Sequence, residues 1–122
     1  MIIGTGVDIV KVERFVKKQN PQFIKRVFSA YEQEYLTAKG AESMAGLFAA
    51  KEAVAKAMGT GFAGFFPCDI EVLHDEKGKP YVRLHGKAAE IIQVVTHSNH
   101  LNIHISISHS DTDAIAFAVL EV

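Results

Sequence analysis

Three charged residues lie in a predicted helix that has almost no polar face. An advance of 100° per residue along 44–58 gathers the bulky apolar side chains into one stripe and leaves mostly alanine and glycine elsewhere. Lys51 falls inside the stripe, while Glu52 and Lys56 lie one turn apart at its border. Because unpaired buried charges are strongly destabilising, these residues need partners. The pattern predicts either a buried ion-pair cluster or a site for a metal and a phosphorylated ligand.

Asp8 supplies a second carboxylate for such a site. It lies near the end of a predicted first strand, Ile2–Val10, which Gly4 and Gly6 interrupt. Glycines in a strand often mark a place where a ligand approaches the backbone closely. Asp8 and Glu52 with some retained water suit Mg²⁺, which prefers oxygen ligands and often takes the rest from substrate phosphates. Asp8 equally fits as a cap of the following helix.

The segment that ends the predicted helix offers groups to a phosphate. Gly59-Thr60-Gly61 has backbone N–H groups and one hydroxyl, and Lys56 precedes it by one turn. Gly59 is also explained as an ordinary helix C-cap. Each signal is therefore weak when taken singly.

The composition is that of an ordinary globular protein. The chain has 122 residues, 48% hydrophobic and 22% charged, which predicts a single domain over residues 1–122. A net charge of −1 gives no electrostatic case for nucleic-acid binding. The single Cys68 excludes an internal disulfide. We see no zinc spacing, signal peptide or apolar run long enough for a membrane span, so a cytoplasmic location is expected.

The predicted elements give an α+β fold in which helices pack on a mainly antiparallel sheet. Asn20-Pro21 begins one helix, and a capping box at 29–32 begins another that Gly40 ends. After the long buried helix comes a hairpin with strands at 69–73 and 80–84, then a helix at 86–96. Two final strands are predicted at 102–108 and 114–122.

The segment 11–26 has six basic residues and one acidic residue, a local charge of +5. A solvated helix face explains such a run in most proteins. On a chain of net charge −1, however, the patch is also a credible docking surface for an acidic partner. Arg14, Lys18 and Arg26 combine this charge with predicted helical exposure.

The motifs together, in their order along the chain, resemble one known family. They are GTGVDIV with Arg14, then FAAKEAVAKAMGTG (48–61), Asp69-Ile70-Glu71, Gly78-Lys79-Pro80 and Ser106-Ile107-Ser108-His109-Ser110. This set is similar to holo-[acyl-carrier-protein] synthase, the short bacterial type of 4′-phosphopantetheinyl transferase. The resemblance covers essentially the whole chain.

The resemblance implies a reaction and a set of site residues. The reaction is Mg²⁺-dependent transfer of 4′-phosphopantetheine from coenzyme A to a serine of the acidic acyl carrier protein, with release of adenosine 3′,5′-bisphosphate, in support of fatty acid biosynthesis. It also implies a homotrimer with active sites between subunits. The implied metal ligands are Asp8 and Glu52; the implied coenzyme A contacts are Lys56, Gly59, Thr60, Gly61, Lys79, Pro80, Ser108 and His109; and the implied carrier contacts are Arg14, Lys18 and Arg26.

One position departs from the family pattern. Relatives usually have Arg directly before the Phe of FAAKE, and this chain has Leu47. Lys39 and Lys51 are the candidates that remain to supply the missing charge. His74, His85, His97 and His100 are interpreted as surface or loop residues, with no role in binding metal.

Two questions stay open at this stage. The serine proton needs an acceptor, which is either Glu52 or a metal-ordered water beside it. Two other classes of protein also fit the helix: a Mg²⁺-dependent pyrophosphohydrolase, and a non-catalytic oligomeric binding module in which Lys51, Glu52 and Lys56 only form ion pairs. A hydrolase needs no protein-docking face, so the basic segment favours the transferase.

Overall fold

Two antiparallel sheets and the helices packed on them make up the fold. A computed structural model describes residues 1–17, 20–98 and 100–122. The elements are β1 (Ile2–Lys11), α1 (Glu13–Val16), α2 (Pro21–Val27), α3 (Ala30–Leu36), α4 (Ala41–Met58), a 3-10 turn (Pro67–Asp69), β2 (Ile70–His74), β3 (Pro80–Leu84), α5 (Gly86–Thr96), β4 (Asn102–His109) and β5 (Asp113–Glu121).

The strands are divided between the two sheets. One sheet has three strands in the order β1-β5-β4, and the other is the β2-β3 hairpin. All the pairings are antiparallel, so the predicted α+β class with antiparallel strands is confirmed. The strand pattern did not reveal that the hairpin forms a sheet of its own.

The helix α4 lies against the three-stranded sheet at very close range. A Cβ atom on Gly4 would overlap the carbonyl oxygen of Ala57, and one on Gly6 would overlap that of Ala53. The two glycines therefore admit the backbone of α4, and not a ligand as the sequence suggested. Six of the seven alanines of α4 are buried, which confirms that this helix is covered on most sides.

Local sequence signals predicted several of the helix ends correctly. The Asn20 side chain accepts hydrogen bonds at the start of α2, and Ser29 and Glu32 form the predicted capping box. Gly59 has a φ of 81°, which favours glycine, and it ends α4 as predicted. The expectation for Gly40 was wrong, because α3 already ends at Leu36 and Gly40 is the N-cap of α4.

The first strand is longer than predicted. Asp8 pairs with Ala116 in the middle of β1, and the ladder continues to Lys11 opposite Asp113. Asp8 therefore does not end the strand or cap the next helix. Alternation along β1 points its side chain toward α4.

The opposite face of the three-stranded sheet is apolar and uncovered in the single chain. Val7 lies opposite Phe117, and Ile9 lies opposite Ile115. Their exposed fractions range from 42% for Ile115 to 63% for Ile9. Contiguous exposed apolar surface of this kind is typical of an interaction face. In the described part of the chain, none of the helices combines the length and the apolar character that a bilayer crossing requires.

Candidate functional site

Asp8, Lys56 and Glu52 come together between β1 and α4. The Lys56 ammonium lies 3.1 Å from Asp8 Oδ1 and also donates to the carbonyl oxygen of Val7 at 3.1 Å. The Asp8 side chain is 15% exposed, and that of Lys56 is 53% exposed. A nearly buried carboxylate is thus held beside a cation that solvent can still reach.

Glu52 belongs to the same electrostatic group. Partial burial raises the pKa of Glu52 above its ordinary value, and Asp8 raises it further, while Lys56 and Arg14 oppose the rise. Glu52 therefore senses the charge of a second carboxylate, Asp8, and of two cations, Lys56 and Arg14. Like charges in close proximity need a counter-charge, which a divalent cation can supply.

The donor set fits Mg²⁺. Asp8 Oδ2 is buried and has no hydrogen-bond partner, so one carboxylate oxygen remains available as a ligand. Within the described residues, no group of three or more acidic, histidine or cysteine side chains is close enough to hold a metal alone. Two carboxylate ligands with the remaining positions left to water and phosphate is the arrangement that Mg²⁺ commonly uses.

The loop after α4 offers less to a phosphate than its sequence suggested. The N–H of Gly59 donates to the carbonyl oxygen of Lys56 at 3.0 Å, and that of Gly61 donates to Ala55 at 3.2 Å. The Thr60 hydroxyl donates to the carbonyl oxygen of Gly61 at 2.8 Å. The two glycine N–H groups are therefore used to cap the helix, and the alternative C-cap interpretation accounts for them.

Lys51 does not take part in this site. Its ammonium is fully buried, 2.7 Å from Glu32 Oε1, and it also donates to the carbonyl oxygens of Pro67 and Ile70. The second oxygen of Glu32 accepts from the N–H of Val72 at 2.8 Å. The buried ion-pair interpretation thus holds for Lys51. Lys56 also forms an ion pair, with Asp8, but its own side chain is half-exposed. The suggestion that Lys51 replaces a missing arginine is wrong, because its charge is already paired and enclosed.

A cavity of about 230 Å³ lies at the other flank of α4. Its walls come from α3, α4, the hairpin and β4, and the lining residues are Tyr35, Ser43, Gly46, Leu47, His74, Gly78, Pro80, Ile107 and His109. Pro80 and His109, both expected to contact coenzyme A, are brought together here. Lys79 is exposed in the turn just before Pro80.

Ser108 is not part of the cavity. It alternates with Ile107 and His109 along β4, so its side chain lies on the apolar outer face of the sheet, opposite Ile115. The expected pair Ser108-His109 is therefore divided between two faces.

The cavity and the carboxylate site lie on opposite sides of α4. At 100° per residue, Leu47 and Lys56 point about 180° apart. Glu52 is separated from Leu47 by about 140° in the same way. The residues expected to bind one coenzyme A molecule thus form two groups that the helix separates within a single chain.

Sequence analysis missed His74. It was interpreted as a surface or loop residue, yet it is half-buried at the end of β2, and its ring stacks on Tyr35 at 4.1 Å between centroids and 12° between planes. The predicted strand stopped one residue too early. With the strand extended, alternation puts His74 on the same face as the buried Ile70 and Val72.

The basic segment does not form one continuous face. Lys11 lies in β1 and pairs with Asp113 at 3.2 Å. Arg14 lies over the rings of Phe15 and Phe48, 5.7 Å from each centroid, and is coupled to Glu52. Arg26 is exposed in the last turn of α2, whereas Lys18 lies outside the described residues. Of the expected carrier contacts, Arg14 therefore influences the carboxylate site and Arg26 is free on the exposed surface of α2.

Comparisons with known proteins agree on one class of enzyme. The family model described as the 4′-phosphopantetheinyl transferase superfamily matches residues 4–118. A holo-[acyl-carrier-protein] synthase of Clostridium botulinum is 52% identical over 126 residues, covering 100% of this chain and 99% of that protein.

Solved structures give the same answer. The holo-[acyl-carrier-protein] synthase of Neisseria meningitidis matches with a TM-score of 0.85 at 33% identity, over 100% of both chains. The Bacillus anthracis synthase, solved in complex with CoA (3′,5′-ADP), matches with a TM-score of 0.78 at 37% identity, over 98% of this chain and 96% of that one.

The fold is that of a 4′-phosphopantetheinyl transferase. Within that superfamily, the chain belongs to the holo-[acyl-carrier-protein] synthase family, a family of transferases.

Proposed function

We propose that this protein transfers 4′-phosphopantetheine from coenzyme A to a serine of apo-acyl carrier protein in a Mg²⁺-dependent reaction, and so supports fatty acid biosynthesis in the cytoplasm. The observation that carries the proposal is the Asp8–Glu52–Lys56 group, with one Asp8 oxygen unpartnered, in a chain of this family. Relatives solved with coenzyme A support the choice of donor.

Asp8 and Glu52 would hold Mg²⁺, and Lys56 lies where it can contact the pyrophosphate. When bound, the metal would neutralise pyrophosphate charge during phosphoryl transfer. Lys56 stabilises the negative charge on the transferring or leaving phosphate, since its ammonium is exposed beside Asp8. The position of Arg14 near Glu52 would bring an acidic carrier close to this centre.

The transfer step exchanges one phosphorus–oxygen bond for another. The serine oxygen of the carrier attacks the phosphorus that bears pantetheine, and the bond from that phosphorus to the bridging oxygen breaks. The serine proton passes to Glu52 or to a water beside it. Adenosine 3′,5′-bisphosphate leaves with the bridging oxygen.

We infer a homotrimer from the family resemblance, and two features of the single chain support sites shared between copies. The carboxylate group and the cavity lie on opposite sides of α4, so one coenzyme A would reach both groups only if neighbouring copies supplied one each. The apolar outer face with Val7, Ile9, Ile115 and Phe117 offers the surface on which copies would meet. Ser108 also lies on that face, opposite Ile115, so a neighbouring copy would contact it in this arrangement.

Intact-mass spectrometry of the carrier tests the proposed function. After incubation with the protein, coenzyme A and Mg²⁺, an apo-carrier should gain the mass of one 4′-phosphopantetheine group. A pyrophosphohydrolase would consume coenzyme A and leave the carrier mass unchanged. A binding module would change neither, and either of these results would overturn the proposal.

Replacing Lys56 with alanine should lower turnover by about 100-fold, because it removes a positive charge at the phosphates. Steady-state kinetics should show the loss mainly in kcat. The matched control is Lys87→Ala, which changes an exposed lysine of α5 paired with Glu90. Wild-type kinetics for the Lys56 variant would contradict its role in transfer.

Charge reversal on α2 should weaken carrier docking without changing coenzyme A binding. The double variant Lys25→Glu/Arg26→Glu removes exposed charge away from the carboxylate site, whereas Arg14 is coupled to Glu52 and is left unchanged. We expect a KM for the carrier raised about tenfold and a weaker dependence on salt, because steering by exposed charges is screened.

The control for this experiment is Lys87→Glu, a reversal at an exposed lysine of α5. An unchanged KM and salt dependence in the α2 variant would show that its side chains are merely solvated. Equal effects of the two reversals would show a response to net charge alone.

A further inference from the structure

The hairpin formed by β2 and β3 needs support from the rest of the fold. It is a sheet of only two strands, which is barely stable in water on its own. On the edge of β2 away from β3, the N–H of Val72 donates to the Glu32 carboxylate at 2.8 Å. The hairpin and α3 both contribute to the walls of the cavity beside Leu47. The position of the hairpin relative to α3 therefore sets the width of that cavity.

Glu71 joins this hairpin to the first residues of two helices. One of its carboxylate oxygens accepts from the Ser29 hydroxyl at 2.6 Å, and the other accepts from Nε2 of His85 at 2.8 Å. Ser29 is the N-cap of α3, and His85 is the N-cap of α5. We call these two hydrogen bonds the Glu71 link. Through one side chain, the link connects α3, the hairpin and α5.

The charge and the burial of Glu71 make the link strong. Its side chain is 13% exposed, whereas that of His85 is 46% exposed. Burial alone would raise the pKa of Glu71, but the hydrogen bonds from Ser29 and His85 lower it below its ordinary value. The carboxylate is therefore ionised at neutral pH, which makes both hydrogen bonds charge-assisted. These bonds account for the last residue of the motif Asp69-Ile70-Glu71.

We propose that Glu71 and His85 are positioning residues that hold the hairpin wall of the cavity in the place that coenzyme A binding requires. The inference rests on the proposed function. Neither residue is among the described residues that line the cavity, and Glu71 lies three residues, about 10 Å, before His74 along β2. They act through the backbone of the hairpin, whose strand β2 presents His74 to the Tyr35 ring of α3.

Steady-state kinetics with coenzyme A and an apo-carrier test the positioning role. Glu71→Ala removes both hydrogen bonds and should raise the KM for coenzyme A about tenfold, since each bond involves a charged group. The kcat and the KM for the carrier should stay near wild type, because the carboxylate site lies on the other side of α4. His85→Ala removes one bond and should raise the same KM by a smaller factor. The His85 side chain forms no capping hydrogen bond, so this variant leaves the start of α5 intact.

A double variant and a matched control show whether the two residues act together. Glu71→Ala/His85→Ala should raise the KM for coenzyme A no further than Glu71→Ala does, because both substitutions break the same link. Glu76→Ala changes an exposed carboxylate in the turn of the same hairpin and should keep the wild-type KM. Without ligand, the amides of β3 should exchange hydrogen faster in Glu71→Ala than in wild type or in Glu76→Ala.

The outcomes separate this inference from the proposed function. An unchanged KM for coenzyme A in Glu71→Ala, or a loss shared equally with kcat and the carrier KM, would overturn the positioning role while wild-type transfer still stands. Wild-type protein that neither binds coenzyme A in calorimetry nor modifies the carrier would overturn both proposals. If Glu71→Ala fails to fold, Glu71→Gln keeps the size of the side chain and removes only its charge. That variant and His85→Ala must then still raise the KM for coenzyme A.

Discussion

Asp8→Asn and Glu52→Gln should each reduce transfer by about 1,000-fold or more and leave the protein folded. Each variant keeps the size of the side chain and removes the charge that would hold Mg²⁺, and metal stabilisation of transferring charge contributes several kcal/mol. Intact mass of the carrier measures the loss, and thermal unfolding checks the fold. Glu90→Gln, an exposed carboxylate on α5, is the matched control.

Glu52→Gln should also increase stability when no metal is present. The pKa of Glu52 is raised in the folded state, so its contribution to stability is present below its unfolded pKa and lost as the pH rises through the folded pKa. At neutral pH and with EDTA, removal of this charge should raise the melting temperature, an expected sign of a residue retained for function.

Removal of the metal from the wild-type protein should have the same effect on transfer as these substitutions. EDTA should abolish transfer, and excess Mg²⁺ should restore it. Full activity of either variant, or transfer that is indifferent to the chelator, would overturn the assignment of Asp8 and Glu52 as metal ligands.

Lys51→Met should destabilise the protein by about 3–5 kcal/mol, because it leaves the buried Glu32 carboxylate unpaired. Glu32→Gln should destabilise the protein by a similar amount, because it leaves the buried Lys51 ammonium without its counter-charge. The double variant should lose much less than the two single losses combined, since neither charge then remains buried alone. Denaturant unfolding gives the free energies, with Lys87→Met as a surface control expected within about 0.5 kcal/mol of wild type.

Activity separates the two lysines of α4. The Lys51 variant should lose transfer only as far as it unfolds, whereas Lys56→Ala should lose turnover while it stays folded. A fully stable and inactive Lys51→Met would contradict a purely structural role for that residue.

The sequence predicted what local signals determine. The limits of α4 follow from helical periodicity and from Gly59, whose positive φ ends the helix. Helical spacing also predicted α5, and alternation with turn residues predicted the hairpin and the last two strands. These features depend on neighbours along the chain, so they can be read without tertiary contacts.

The partners of the charged residues depend on long-range packing. The helical wheel separates Lys51 from Glu52 and Lys56. It does not show that Glu32 of α3 pairs with Lys51. It also does not show that β1 brings Asp8 to Lys56. The role of Gly4 and Gly6 was misjudged for the same reason, since the close neighbour is α4 and not a ligand. For both the charged residues and the glycines, the sequence allowed a structural explanation and a ligand-binding one. Only the tertiary contacts decide between the two.

The division of the site also required the structure. The family resemblance implied that Lys56, Pro80 and His109 contact the same ligand. The fold places Lys56 on one side of α4 and the other two on the opposite side. This separation supports the sites between subunits that the resemblance implied. The motifs alone did not say which residues fall into each of the two groups.

Mixed trimers test this central claim most directly. Asp8→Asn and His109→Glu chains, given different affinity tags, are co-expressed and purified through both tags, and the mass of an apo-carrier is followed with coenzyme A and Mg²⁺. Each variant alone should be inactive, because one lacks the carboxylate and the other puts a negative charge into the cavity. In a cyclic trimer that contains both chains, one site of the three takes its carboxylates from one chain and an intact cavity from the other. The mixed trimer should therefore show about one third of wild-type transfer, and a mixture no more active than its separate variants, or a monomer by light scattering, would contradict the account.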